Sequence, residues 1–286
     1  MKMRNMYLLL LGCLIYAGSS HAAYRTMKQI RESGVIKVVM TREFEVDQLP
    51  RRQTPRQYEN GLLENLAKRL KLKIKYVYLD SFDEVFPALL KGQGDIAADN
   101  ITITPERLKK VIFSNPVAAV TEHIVGRADH PPVKLQQLKG RTVTVTRGTT
   151  YVDTMKRLIR KVPGIKLREA VRGMEPEYLL DMVGRGAIPY TVADSNYLES
   201  FQSYRSDVKS IYKFPQERYI AWAMPPQSKE LRDVVNLFLK LELPVYQQKK
   251  FTGDWEQIVR RGYIRVLTRN SPMTYYLHRG HRTGFE

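Results

Sequence analysis

Apolar positions along this chain recur in two rhythms. Leu62, Leu63, Leu66, Ala67 and Leu70 follow three- and four-residue spacing, which predicts a helix with one buried face. Residues 73–78 (KIKYVY) alternate instead, lysines on one side and Ile74 on the other, and predict a strand. Short apolar runs at 36–40 (IKVVM) and 96–98 read as buried strands, the first following a helix that ends near Gly34. Residues 45–60 are polar, carry Pro50 and Pro55, and read as a loop. Ser81 is placed to cap a helix running to Leu90, with Gly92 near its stop. Residues 28–100 therefore alternate helix and strand, as an α/β sheet does.

A second unit repeats the alternation. Residues 135–139 form a short helix or turn ended by Gly140, and 142–146 (TVTVT) is a β-branched strand. Gly148-Thr149-Thr150 then turns into a helix carrying Met155, Leu158 and Ile159. Strands follow at 165–167, 190–193 and 220–224, with helices at 176–183, from Ser195 onward and at 229–243. Glu175 and Glu177 flank Pro176 at a helix start, where acids suit the dipole. Late in the chain an early pattern returns. Gln29-Ile30 with residues 34–42 (GVIKVVMTR) is echoed by Gln257-Ile258 with residues 262–269 (GYIRVLTR). Gly61 and Gly284 correspond in the same way, each opening a helix after a loop. Residues 254–286 are expected to be the truncated start of a second copy of the module.

Composition narrows the setting. Lys2 and Arg4 precede an apolar stretch over 7–18, and Ser20-His21-Ala22 supplies small residues at the positions a leader peptidase reads. A signal peptide over 1–22 and a periplasmic mature chain are expected. A second reading makes Cys13, in Leu10-Leu11-Gly12-Cys13, a lipoprotein anchor, and a third leaves the segment as an uncleaved anchor. Cys13 is the only cysteine, so leader removal leaves no thiol for disulfides, nucleophilic catalysis or metal binding. The formal charge of +18 suits polyanions. Export argues against nucleic acid and for anionic cell-wall polymers or lipid headgroups. No GxSxG, P-loop or HExxH pattern occurs, and His123, His130, His278 and His281 lack ligand-like spacing, so neither metal nor cofactor is expected.

The chemistry concentrates in residues 94–116, GDIAADNITITPERLKKVIFSNP. A buried strand feeds the polar turn Asn100-Ile101-Thr102, and Arg107 follows at the next helix start. A carboxylate is held by two parallel guanidinium donors with hydroxyl or backbone donors beside them, and this loop carries all three kinds. This pattern resembles the type II periplasmic solute-binding proteins of the polar-amino-acid class, and in particular the binding domain of membrane-bound lytic transglycosylase F. The resemblance covers about residues 28–250. It implies that Arg107 clamps a ligand α-carboxylate, with Thr102 and Asn100 as neighbouring donors, although that family more often has Ser, Gly or Ala at the position of Asn100. It implies that Gly148, Thr149 and Thr150, through backbone N–H groups at a helix N-terminus, grip the same carboxylate from an opposite lobe. Residues 186–196 (GAIPYTVADSN) resemble the strand ending in the amine-binding acid, which maps to Asp194. Phe44 is the candidate for an aromatic that stacks on the ligand.

The fold implied is a two-lobed periplasmic-binding-protein fold with hinge crossovers near 117–124 and 219–224. Lobe 1 comprises 24–119 and 223–252, and lobe 2 comprises 120–222. The function implied is binding of an amino acid or short cell-wall peptide for transport or sensing, with a membrane transporter or peptidoglycan as partner. One alternative is the regulatory domain of a lytic murein transglycosylase. The roughly 30 residues after the binding module are too few for a lysozyme-like catalytic domain, so no enzymatic activity is expected of this chain. Another alternative is a basic cell-wall-binding protein with a degenerate cleft.

Overall fold

Thr26 opens the first helix with a capping box, its hydroxyl accepting from the Gln29 N–H while Gln29 Oε1 accepts from its own N–H at 2.8 Å. The protein is seen here in a computed structural model describing residues 24–42, 54–129, 134–248, 276–278 and 281–283. The signal-peptide segment 1–22, Cys13, Phe44 and nearly all of the expected repeat lie outside these residues. In chain order the first elements are α1 (Met27–Ser33), β1 (Val35–Thr41), α2 (Pro55–Leu70), β2 (Lys73–Leu79), α3 (Val85–Leu90), β3 (Ile96–Ala97), α4 (Pro105–Leu108) and β4 (Ile112–Phe113). There follow β5 (Ala118–Arg127), β6 (Thr142–Val145), α5 (Thr150–Lys161), β7 (Lys166–Glu169), α6 (Pro176–Gly184), β8 (Tyr190–Asp194), α7 (Ser195–Gln202) and β9 (Val208–Ile220). The chain then forms β10 (Ala223–Met224) and α8 (Lys229–Gln248), and a hairpin of β11 (Tyr276–His278) and β12 (His281–Thr283).

These strands build two five-stranded sheets, ordered β2-β1-β3-β10-β4 and β7-β6-β8-β5-β9. Each sheet is parallel at one side; in the first the late strand β10 inserts antiparallel between β3 and β4, and in the second β5 runs antiparallel between β8 and the edge strand β9. Both faces of each are buried. Val38, Met40, Leu63, Leu66 and Trp222 pack on one side of the first sheet, and Val39, Phe82, Ala97 and Ile101 on the other. Val143, Val145, Met155 and Val192 pack on one side of the second, and Leu179, Leu180, Ala193 and Phe201 on the other. Helix-covered parallel strands require this, and it explains their continuous apolar runs.

Several local expectations are corrected. The loop read over 45–60 ends earlier, because residues 55–60 are helical: Thr54 forms a capping box with Gln57, and Pro55 takes the first turn, where its missing N–H has no intrahelical partner to lose. Gly61 therefore sits inside α2 rather than opening it. Ser81 is buried and makes no cap hydrogen bond; residues 82–84 form a 3-10 turn before α3. Pro87 has no N–H to return to Asp83, which favours the tighter turn. The strand read over 220–224 is broken between Ile220 and Ala223 as the chain passes from one sheet to the other. The other crossing lies at 114–117, because residues 118–124, read as hinge, already belong to the long strand β5. The crossings are tied together: Ser114 N–H donates to Trp222 O at 2.9 Å, Trp222 N–H donates to Ser114 Oγ at 3.0 Å, and Val117 N–H donates to Ile220 O at 2.8 Å.

Candidate functional site

The turn after β3 and the start of α5 meet across a cleft of about 330 Å³, counted out to its open mouth. Asn100, Thr102, Arg107, Thr149, Thr150 and Asp194 all line it. The motif residues expected from the sequence are thus brought together, and Phe44 lies outside the described residues. Gly148 adjoins the cleft through its carbonyl, which accepts from Arg107.

On the first lobe, Thr104 caps α4 by accepting from the Arg107 N–H, which fixes where the arginine leaves the backbone. Its Nη1 donates to Thr102 O at 2.8 Å, and its Nη2 donates across the cleft to Gly148 O at 3.3 Å. The guanidinium carbon lies 5.4 Å and 5.0 Å from the ring centroids of Phe82 and Phe86. Burial lowers the Arg107 pKa to about 10, against the attraction of Asp153 and Asp194, so the group stays cationic at neutral pH. Asn100 adopts φ 50°, a left-handed conformation that Asn tolerates better than most residues. Its N–H donates to Glu59 Oε2 at 2.7 Å. Its side chain spans the lobes, Nδ2 donating to Asp194 Oδ2 at 3.0 Å and Oδ1 accepting from Asn196 Nδ2 at 2.7 Å. The Asn100 side chain thus bridges to the acid.

On the second lobe, Gly148 has φ 74° and comes so close to Asp83 that an added Cβ would lie 2.9 Å from that residue's Cβ. Glycine is required there on both counts. The two hydroxyls bond within the lobe: Thr149 Oγ1 donates to Thr146 O at 2.7 Å, and Thr150 Oγ1 donates to Glu122 Oε1 at 2.8 Å. No side chain caps α5, so its first backbone N–H groups are left to face the cleft beside Arg107. A helix N-terminus beside a guanidinium makes an anion site.

Asp194 ends β8, almost fully buried, and Tyr151 Oη accepts its N–H at 3.1 Å. Its Oδ1 has no partner in hydrogen-bond geometry, although the nearby Tyr151 hydroxyl favours the charged form. Burial, and then the charge of Glu122, push its pKa up to about 7. The cleft thus holds a guanidinium at one end and a carboxyl group at the other.

Sequence reasoning missed several groups around these two. Phe82 lines the cleft, and its ring lies against the Arg107 guanidinium. Glu175 was read only as a helix-start acid. It does stand at the α6 N-cap, but it also lines the cleft, its Oε1 is buried without a partner, and burial and Asp99 push it up to about 8. Asp99 pairs with Arg56 at 3.0 Å and accepts from the Thr41 hydroxyl at 3.1 Å. Glu59 accepts from Trp222 Nε1 at 3.1 Å as well as from Asn100. The signal that could have found one of them is an acid in step with the apolar face of a helix, as Glu59 stands one turn before Leu62 and Leu63 in α2.

Comparison with known proteins agrees with this architecture. The family model of bacterial extracellular solute-binding proteins, family 3, matches residues 49–243. A membrane-bound lytic murein transglycosylase F of Pseudomonas fluorescens is 28% identical over 266 residues, covering 92% of this chain and 54% of its own length. One from Desulfosudis oleivorans is 29% identical over 246 residues, covering 85% and 52%. The chain spans about half the length of these curated relatives. Among solved structures, the arginine-bound form of truncated ArgBP from T. maritima superposes with a TM-score of 0.62 at 25% identity, covering 75% of this chain and 99% of that one. The amino acid ABC transporter substrate-binding protein AbpA from Streptococcus pneumoniae, bound to L-arginine, gives a TM-score of 0.66 at 19% identity, covering 78% and 95%.

Proposed function

This chain belongs to family 3 of the bacterial extracellular solute-binding proteins, and from that premise we propose that it closes over a free amino acid or the end of a short cell-wall peptide. The ligand α-carboxylate lies between the Arg107 guanidinium and the α5 N-terminus at Thr149 and Thr150. The α-ammonium pairs with Asp194, which Asn100 orients, and Thr102 holds Arg107 in place through its carbonyl. One observation carries this reading: a partnerless oxygen of a buried acid and an uncapped helix N-terminus with its guanidinium face one cleft. Contacts to both lobes stabilise the closed arrangement, and release follows reopening about the paired crossings. The protein acts in the periplasm after loss of residues 1–22, and delivers its ligand to a membrane transporter or senses it for the cell wall.

Thermal unfolding with free amino acids, arginine included, and with cell-wall peptides tests this. A ligand at a hundred times its Kd adds about 2.7 kcal/mol, which raises Tm by about 5–10 °C for a domain of this size. Arg107→Ala should remove about 2–5 kcal/mol of that binding energy, read by calorimetric titration. Unchanged affinity in that variant would refute the clamp. A flat panel whose polyanion binding vanishes in high salt would favour the basic cell-wall-binding alternative.

A second reading has a specific observation behind it, since curated relatives twice as long are named lytic murein transglycosylases. In it, this module regulates a murein-cleaving partner domain by closing on a cell-wall product. Clearing of purified peptidoglycan that changes when the cleft ligand is added would support it, and clearing indifferent to Arg107→Ala would count against it.

A further inference from the structure

Glu122 on β5 stands directly opposite Asp194 on β8 in the antiparallel register. Their exposures are 0% and 2%, so two carboxylates share one desolvated patch. Side chains so opposed have Cβ atoms about 4.5–5.5 Å apart. Glu122 Oε1 accepts from Arg218 Nε at 3.0 Å and from the Thr150 hydroxyl at 2.8 Å, whereas its Oε2 has no partner. Asp194 Oδ2 accepts from Asn100, and its Oδ1 has none. Arg218 comes from β9, also donates to Thr154 Oγ1 at 2.7 Å, and is the only ion-pair partner of either acid among the described residues. Other charged or titratable groups around the pair are Tyr151 and Asp153 from α5 and Tyr197 from α7, with Arg107, Asp99 and Glu175 lining the same cleft. Arg107 is directed at Thr102 O and Gly148 O, away from ion-pair contact with Asp194.

Two acids and one directly paired cation leave the patch one positive charge short when both acids are ionised. An uncompensated buried charge is strongly unfavourable, so the empty site takes up a proton instead. We propose that Asp194 holds a proton in the empty cleft because Glu122 faces it, and that a ligand ammonium group takes the proton's place, so that capture releases one proton. This rests on Asp194 being the ammonium site, as proposed above. Before capture the acid is a carboxylic acid and the ligand carries –NH₃⁺. Afterwards the carboxylate faces the ammonium and the proton is in the buffer, with no ligand bond broken. Glu122 is a positioning residue: it touches no ligand and acts through Asp194. Affinity then falls about tenfold for each pH unit below the Asp194 midpoint and is flat above it.

Carboxyl ¹³C NMR of the ligand-free full chain tests the first half. The Asp194 signal, identified by its loss in Asp194→Asn, should titrate well above the ordinary aspartate midpoint of about 4. Glu122→Gln keeps the size and the Thr150 contact, and should lower that midpoint by a unit or more. Arg218→Gln should move it the opposite way, so misfolding of one variant leaves the other decisive. An Asp194 midpoint in the ordinary range, or one that neither variant moves, overturns the proposal. The second half is read by calorimetric titration between pH 5.5 and 8, in buffers of different ionisation heat, with whichever common L-amino acid gives the largest thermal shift. Wild type should release one proton below the midpoint, and Glu122→Gln less. Heats independent of buffer overturn the displacement even if Asp194 titrates high. If no amino acid shifts Tm, the ligand reading falls and the displacement with it, while the NMR titration still decides the protonated state.

Discussion

Asn100 shows how much one position carries. Its backbone is left-handed, its N–H answers buried Glu59, and its side chain ties the lobes at Asp194 and Asn196. Two substitutions separate these tasks. Asn100→Gly keeps the backbone easy and loses the bridge, whereas Asn100→Ala also bears the left-handed penalty of about 1–2 kcal/mol. Urea unfolding should therefore rank Ala below Gly by roughly that amount; equal stabilities would mean that the turn relaxes. Residues such as Arg107, Gly148 and Asp194 were legible because each sits in a contiguous motif beside a strand end. Glu122, Arg218 and Glu59 were not, because their meaning comes from opposition across strands or from a helix packed far away in sequence. At Thr149 and Thr150 the contact read from the sequence is through backbone N–H groups at the helix start, and the hydroxyls are occupied separately, by Thr146 and Glu122.

At the scale of elements, hydrophobic rhythm read the short buried strands and the helix spanning Leu62 to Leu70, and failed where punctuation competed with it. Pro55 reads as a loop marker in the sequence, yet it opens α2 behind the Thr54 cap. Removing that cap in Thr54→Ala should lower stability by about 0.5–2 kcal/mol in denaturant unfolding, whereas a loop at 55–60 would give almost no loss. β5 and β9 escaped notice because buried Glu122 and the exposed polar side chains of β9 break the apolar pattern. Their pairing is irregular too, with register shifts between Thr121 and His123 and between Ile124 and Val125. The two lobes as a class were nonetheless readable, since each carries its own alternation of helix and strand.

For the whole molecule, a basic exterior surrounds an acid-rich cleft. The formal charge is +18, yet Glu59, Asp99, Glu175 and Asp194 gather where the lobes meet. Burial pushes Glu59 and Asp194 up to about 7 and Glu175 to about 8. A carboxyl with a folded midpoint above its unfolded one binds its proton more tightly when folded. Stability from these groups is therefore complete below about pH 4 and lost as pH rises through 7 to 8. The ligand-free protein should melt higher at pH 5.5 than at pH 8.5 at constant ionic strength. A higher Tm at pH 8.5 would mean that these acids are solvated in solution.

The tied crossings have a consequence for how such a molecule is assembled from genes. Ala118 and Ile220 are register partners, so the segment 118–220 enters and leaves at neighbouring points. Partners of that kind lie about 4.5–5.5 Å apart between Cα atoms. The second lobe is thus a cassette spliced into the first. It is open to exchange for another whose ends fit the same gap, and the rest of the chain need not be rerouted.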